Sequence, residues 1–164
     1  MEVLEAIAAV NSVAKLSYVL GSQIYEIAQL AYNSKKIPEQ LQLEISSFQG
    51  FLNLVTTVEL SIKHRCPQNE DSPVISYMKT QGVLEQVQTE CKQLTDAIAC
   101  QQNDISTYRA KLGPDPRLRH RLVTAYKWRT KLGPKTYSLH PMIERLKTSL
   151  HLVMNIIHLE ALQQ

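Results

Sequence analysis

Val13-Ala14-Lys15-Leu16-Ser17-Tyr18-Val19-Leu20-Gly21-Ser22-Gln23-Ile24-Tyr25-Glu26-Ile27-Ala28-Gln29-Leu30-Ala31 places Val13, Leu16, Leu20, Ile24, Ile27 and Ala31 in steps of three and four. That spacing keeps one apolar stripe on one side of an α-helix and would scatter it over both faces of a strand. The stripe predicts a helix over residues 2–32. The same period recurs downstream, in Leu41, Ile45, Phe48, Leu52, Val55 and Ile62, widened by Phe51, Leu54 and Val58. It recurs again in Ile75, Met78, Val87, Cys91, Leu94, Ile98, Ile105, Tyr108 and Leu112, and in Leu139, Ile143, Leu146, Leu150, Val153 and Ile157. Four long amphipathic helices in one chain predict an all-α, antiparallel helical bundle.

Punctuation sets the boundaries. Asn33-Ser34-Lys35-Lys36 reads as a turn, with Pro38 as the first residue of a second helix that ends near Arg65. Cys66 to Pro73 combines two prolines with polar turn formers and predicts a loop, with Asp71 or Ser72 capping the third helix. That helix, if unbroken to Leu112, would hold about 38 residues and span about 57 Å; Gly82 is where it is expected to bend or stop. A local repeat follows. Tyr108-Arg109-Ala110-Lys111-Leu112-Gly113-Pro114 returns twenty residues later as Trp128-Arg129-Thr130-Lys131-Leu132-Gly133-Pro134. Both copies read as helix ends, because cations suit the negative end of the helix dipole, glycine accepts a left-handed cap and proline forbids continuation. A short basic helix over 116–132 is therefore expected between them, and a last helix from Ser138–Pro141 to Leu162.

The 164 residues, 44% of them hydrophobic, suffice for one domain, residues 1–164, with its own core. Three cysteines with no paired or metal-ligand spacing argue against a secreted disulfide scaffold, and the start lacks the basic region of a signal peptide, so a cytoplasmic setting is expected. Residues 3–20 are the most apolar window but carry Glu5 and Lys15, each costing about 2.5 to 3.5 kcal/mol at a bilayer centre, which makes a poor permanent span. No nucleophile elbow, phosphate loop or metalloprotease pattern occurs, and His151 and His158, seven apart, lack carboxylates at ligand offsets. The expectation is a non-enzyme with no catalytic residue, no cofactor and no metal.

Charge is the more informative feature. Residues 1–104 hold 7 Lys/Arg against 12 Asp/Glu, and residues 105–164 hold 11 against 3. Nine of those cations lie between Arg109 and Lys135 with a single acid, Asp115, and with Tyr126, Trp128 and Tyr137 interleaved. Cations beside aromatic rings suit an anionic lipid surface, at about 1 kcal/mol per basic residue, so Arg117, Arg119, Arg121, Lys127, Trp128, Arg129 and Lys131 are the candidate lipid-binding set. The same mixture suits nucleic-acid phosphates or a solvated helix packed on the acidic two-thirds of the chain. The nearly all-apolar first turns, with Val3, Leu4, Ile7 and Val10, tilt the reading away from nucleic acid. Those four form a candidate membrane-inserting element, with Glu2 and Glu5 as a brake on insertion; a helix end simply buried in the bundle is the alternative.

Two stretches carry a family resemblance. The opening, Met1-Glu2-Val3-Leu4-Glu5-Ala6-Ile7-Ala8-Ala9-Val10 leading to Tyr25, and Trp128-Arg129-Thr130-Lys131-Leu132 followed by Ile143-Glu144-Arg145-Leu146-Lys147-Thr148-Ser149-Leu150-His151-Leu152, are similar to the fungal HeLo-like N-terminal domains of STAND/NLR-type proteins. More remotely, the chain resembles the helical killer domain of necroptosis and plant helical resistance domains. The resemblance implies a helical domain, fused to or partnered with a STAND/NLR receptor, that forms a homo-oligomer on activation, moves from the cytoplasm to the plasma membrane and executes regulated cell death in innate immunity. A helical adaptor that binds partner proteins and never touches lipid is the alternative.

Overall fold

In a computed structural model the structure describes residues 2–32, 39–65, 73–112 and 118–163, and these are almost wholly helical, with no strand among them. The expected turn at 33–36, the expected helix start at Pro38 and residues 66–72 of the expected loop lie outside the described residues. The chain orders as α1 (Glu2–Tyr32), α2 (Glu39–Arg65), α3 (Pro73–Thr80), α4 (Val83–Leu112), α5 (Leu118–Lys127), a π-helical turn (Trp128–Leu132) and α6 (Gly133–Gln163). The all-α bundle of four long helices is thus the fold, with the short basic helix α5 beside it.

The stripes read from the sequence supply most of the core, with Leu16, Ile45 and Leu52 partly buried against it. Val13, Leu20, Ile24 and Ile27 of α1, Phe48, Phe51, Val55 and Val58 of α2, Val87, Cys91, Leu94, Ile98 and Ile105 of α4, and Leu139, Ile143, Leu146, Leu150, Val153 and Ile157 of α6 form one buried cluster. α1 packs on α2, α4 and α5, while α6 packs on α4 and α2, so α1 and α6 take diagonal corners of the bundle. α4 and α6 run antiparallel: Gln101 meets Thr136, and Glu90 meets Ser149 further along.

The expected third helix is two helices. Gly82 adopts φ +67°, the left-handed conformation that ends α3; its N–H reaches the Lys79 carbonyl at 3.0 Å, and α4 starts at once from its own carbonyl. A Cβ at Gly82 would meet no atom within 4 Å, so Gly82→Ala should cost only the conformational penalty, about 1 to 2 kcal/mol. Gly50, in the interior of α2 and equally open, has no such need, and Gly50→Ala should stabilise by about 0.5 to 1 kcal/mol. Thermal unfolding of the two variants should therefore shift in opposite directions.

The second copy of the repeat does not end a helix, a correction to the sequence reading. α6 begins at Gly133, not at Ser138–Pro141, and Gly133 is right-handed, at φ −61° and ψ −54°. Pro134 has no N–H to give and its ring crowds the carbonyl four residues back, so the backbone widens by one residue instead of breaking. The Gly133 N–H bonds to the Trp128 carbonyl five residues back, and a Cβ on Gly133 would stand 2.7 Å from that oxygen. Helix therefore continues from Leu118 through the π turn to Gln163. At the first copy α4 is described as far as Leu112, and residues 113–117 lie outside the described residues.

Candidate membrane-contacting surface

One face of α4 grips the segment that follows it. Gln101, Asp104 and Tyr108 lie on successive turns, and each holds a different part of the α5–α6 arm. Gln101, buried between Ile98 and Ile105, donates through Nε2 to the Leu132 carbonyl at 3.1 Å and to Thr136 Oγ1 at 2.9 Å. Thr136 Oγ1 donates to the same Leu132 carbonyl at 2.9 Å, so two side chains converge on that oxygen. Asp104 receives a hydrogen bond and a salt bridge from Lys135. The Tyr108 hydroxyl lies 2.7 Å from Thr124 Oγ1 in the interior, and the Lys127 ammonium sits 5.0 Å from the Tyr108 ring centre. These contacts fix how the inner side of α5 and the π turn, Thr124, Trp128 and Leu132, faces the bundle.

Trp128 is therefore corrected from a headgroup contact to a core residue. Its ring is 2% exposed and its Nε1 lies 3.2 Å from where a Gly133 Cβ would be. The cations divide as well. Arg109 pairs with Glu26 of α1, which sets the last turns of α1 and α4 side by side, and Lys135 pairs with Asp104. Lys127 leans on Tyr108 and is half-buried, whereas Lys111, Arg129 and Lys131 are exposed. Arg117 and the side chains of Arg119 and Arg121 lie outside the described residues. The hydrogen bond from Lys135 holds the Asp104 carboxyl below its ordinary range, burial opposes this, and the Lys135 and Lys131 charges add to the lowering. A lowered carboxyl stabilises the fold above its unfolded range and loses that contribution as pH falls through the folded one, so the clasp is intact at neutral pH and opens in acid.

At the other candidate element, Ile7 and Val10 are 3% and 0% exposed and belong to the core cluster together with Ala6, while Glu5 faces solvent. The side chains of Glu2, Val3 and Leu4 lie outside the described residues. Sequence reasoning passed over a third feature. Among the described residues of α5 the most exposed side chains are Leu122 at 70%, Tyr126 at 69% and Val123 at 44%. The signal was present, since Leu122 and Tyr126 are four apart while the inward series Thr124, Trp128 and Leu132 takes the other side of the same helix.

The outer side of the bundle also carries a shallow groove between α1 and α2, about 290 Å³, lined by Tyr18, Gly21, Tyr25, Ile45 and Phe48 among others. Burial raises the Cys91 thiol to about 12, with the Glu90 charge adding, so it is a core filler and a poor nucleophile at neutral pH. Among the described residues no three His, Cys, Asp or Glu side chains group as metal ligands, and no helix is long and apolar enough to cross a membrane. In fold this is an all-helical bundle, and no family model, curated protein or solved structure matches the chain.

Proposed function

We propose that this chain is a non-enzymatic helical effector domain that docks on anionic membrane, self-associates there and executes regulated cell death, as the HeLo-like resemblance implies, with a STAND/NLR-type receptor as its fused or separate trigger. What supports the docking step is the state of the basic segment. Among the described residues, Arg109 and Lys135 have acidic partners, while Arg129 and Lys131 are exposed on an arm whose inner side is clamped to α4. Solvent-facing cations on a rigid arm attract an anionic surface, and the attraction is screened by salt.

The test is co-sedimentation with phosphatidylserine-containing vesicles. Replacing Arg117, Arg119, Arg121, Lys127, Arg129 and Lys131 by Gln removes six charges, each worth about 1 kcal/mol near the surface, and should abolish sedimentation while the unfolding temperature changes little. Equal sedimentation of wild type and variant would reduce the segment to a solvated face. The groove between α1 and α2, with Tyr18 and Tyr25 half-exposed at its edge, favours the second reading, an adaptor that receives a partner protein. A chain that ignores vesicles of every composition would support that reading.

A further inference from the structure

We propose that the outward face of α5, made by Leu122, Val123 and Tyr126, is the part of this chain that enters an anionic bilayer, and that α1 stays folded in the core while it does so. The proposal rests on the docking reading above and names the element that makes the contact. Leu122 and Tyr126 are already 70% and 69% in solvent, so burying them in the headgroup and acyl boundary removes apolar surface from water with no prior opening of the fold. Ile7 and Val10 offer the opposite balance, since both must first leave a packed interior.

The neighbours of this face select its occupant. Lys127, half-buried beside Tyr108 at the end of α5, and Arg129 and Lys131, exposed on the π turn that follows, place cations beside the three side chains of this face. An anionic bilayer satisfies both at once, with phosphate oxygens meeting the cations and acyl chains meeting Leu122 and Val123. The Tyr126 ring, apolar in body and polar at its tip, suits the depth between them. Nucleic acid would meet the cations and leave Leu122 and Val123 unused. Because Tyr108, Thr124 and Trp128 fix the inner side of α5, the face is presented without a conformational change. The insertion is shallow and in the interfacial plane, consistent with the lack of any spanning helix among the described residues.

The experiment uses the whole chain and vesicles of phosphatidylcholine with phosphatidylserine, some carrying brominated acyl chains. The double variant Leu122→Ser/Tyr126→Ser retains every cation and replaces only exposed side chains, so its unfolding temperature should match wild type. Its vesicle affinity should fall about tenfold or more. In Leu122→Trp the new indole should be quenched by bromolipid, whereas the wild type, whose single Trp128 is buried, should not be. If the wild type binds, the double variant binds equally well and Leu122→Trp is unquenched, the face is not the inserting element while electrostatic docking stands. A wild type that does not bind anionic vesicles overturns both. If the double variant keeps its vesicle affinity but loses self-association in sedimentation velocity, the face is a protein interface and the proposal fails.

Discussion

Ile7→Asp is expected to lower the stability of the folded chain by about 3 to 5 kcal/mol, the cost of an uncompensated carboxylate placed in a packed interior. Ile7 is 3% exposed within the core cluster, with Ala6 and Val10 on the same helix, while Glu5, two positions away, is exposed. For a domain of this size each kcal/mol moves the melting temperature by about 2 to 4 °C, so a depression of about 10 °C should be seen by circular dichroism. Glu5→Gln, at an exposed position, should shift stability by less than about 0.5 kcal/mol. The pair separates two roles for the first helix. If contact with the bilayer is made by α5, Glu5→Gln releases dye from anionic vesicles no faster than wild type. A faster release, together with a mild effect of Ile7→Asp, would give the inserting role to α1 and make Glu5 its brake.

Trp128→Ala should be comparably severe, at about 3 to 5 kcal/mol, because removing a buried indole leaves a cavity that a clamped neighbourhood cannot fill. Trp128 begins the π turn, its carbonyl accepts the Gly133 N–H, and its ring lies against Gly133, so the loss should loosen α5 as well as the core. Hydrogen exchange makes the distinction. Amides of α5 and the first turn of α6 should lose protection more than those of the α1–α2 pair. A lipid-facing indole would give the reverse pattern, with near-native stability and weakened vesicle binding.

The long stripes were legible because each is set by local period, and burial of Leu139, Ile143, Leu146, Leu150, Val153 and Ile157 along α6 follows that period residue by residue. The end of α3 was legible only as a weakness at Gly82, since whether a glycine bends or terminates a helix depends on what packs beside it. The second Lys-Leu-Gly-Pro was misread for a physical reason. Lys111-Leu112-Gly113-Pro114 and Lys131-Leu132-Gly133-Pro134 are the same tetrapeptide, and the second is held by partners outside it: Gln101, thirty-one residues upstream, donates to the Leu132 carbonyl, and Trp128 is seated against Gly133. Local signals hold no information about those partners. Gln101 itself could have been found, because it occupies the stripe position between Ile98 and Ile105, and a polar residue in a core register asks what it bonds. Trp128 was assigned to the headgroups by its basic neighbours in sequence, but its partners on the helix are Thr124 and Leu132, four residues either side and both buried.

Partition of the intact chain onto vesicles with and without phosphatidylserine, followed as salt is raised, tests membrane docking most directly. Binding to the anionic vesicles that weakens steeply with salt is expected, with little binding to phosphatidylcholine alone. Binding that ignores both salt and lipid charge, or no binding at low salt to vesicles rich in phosphatidylserine, would contradict it.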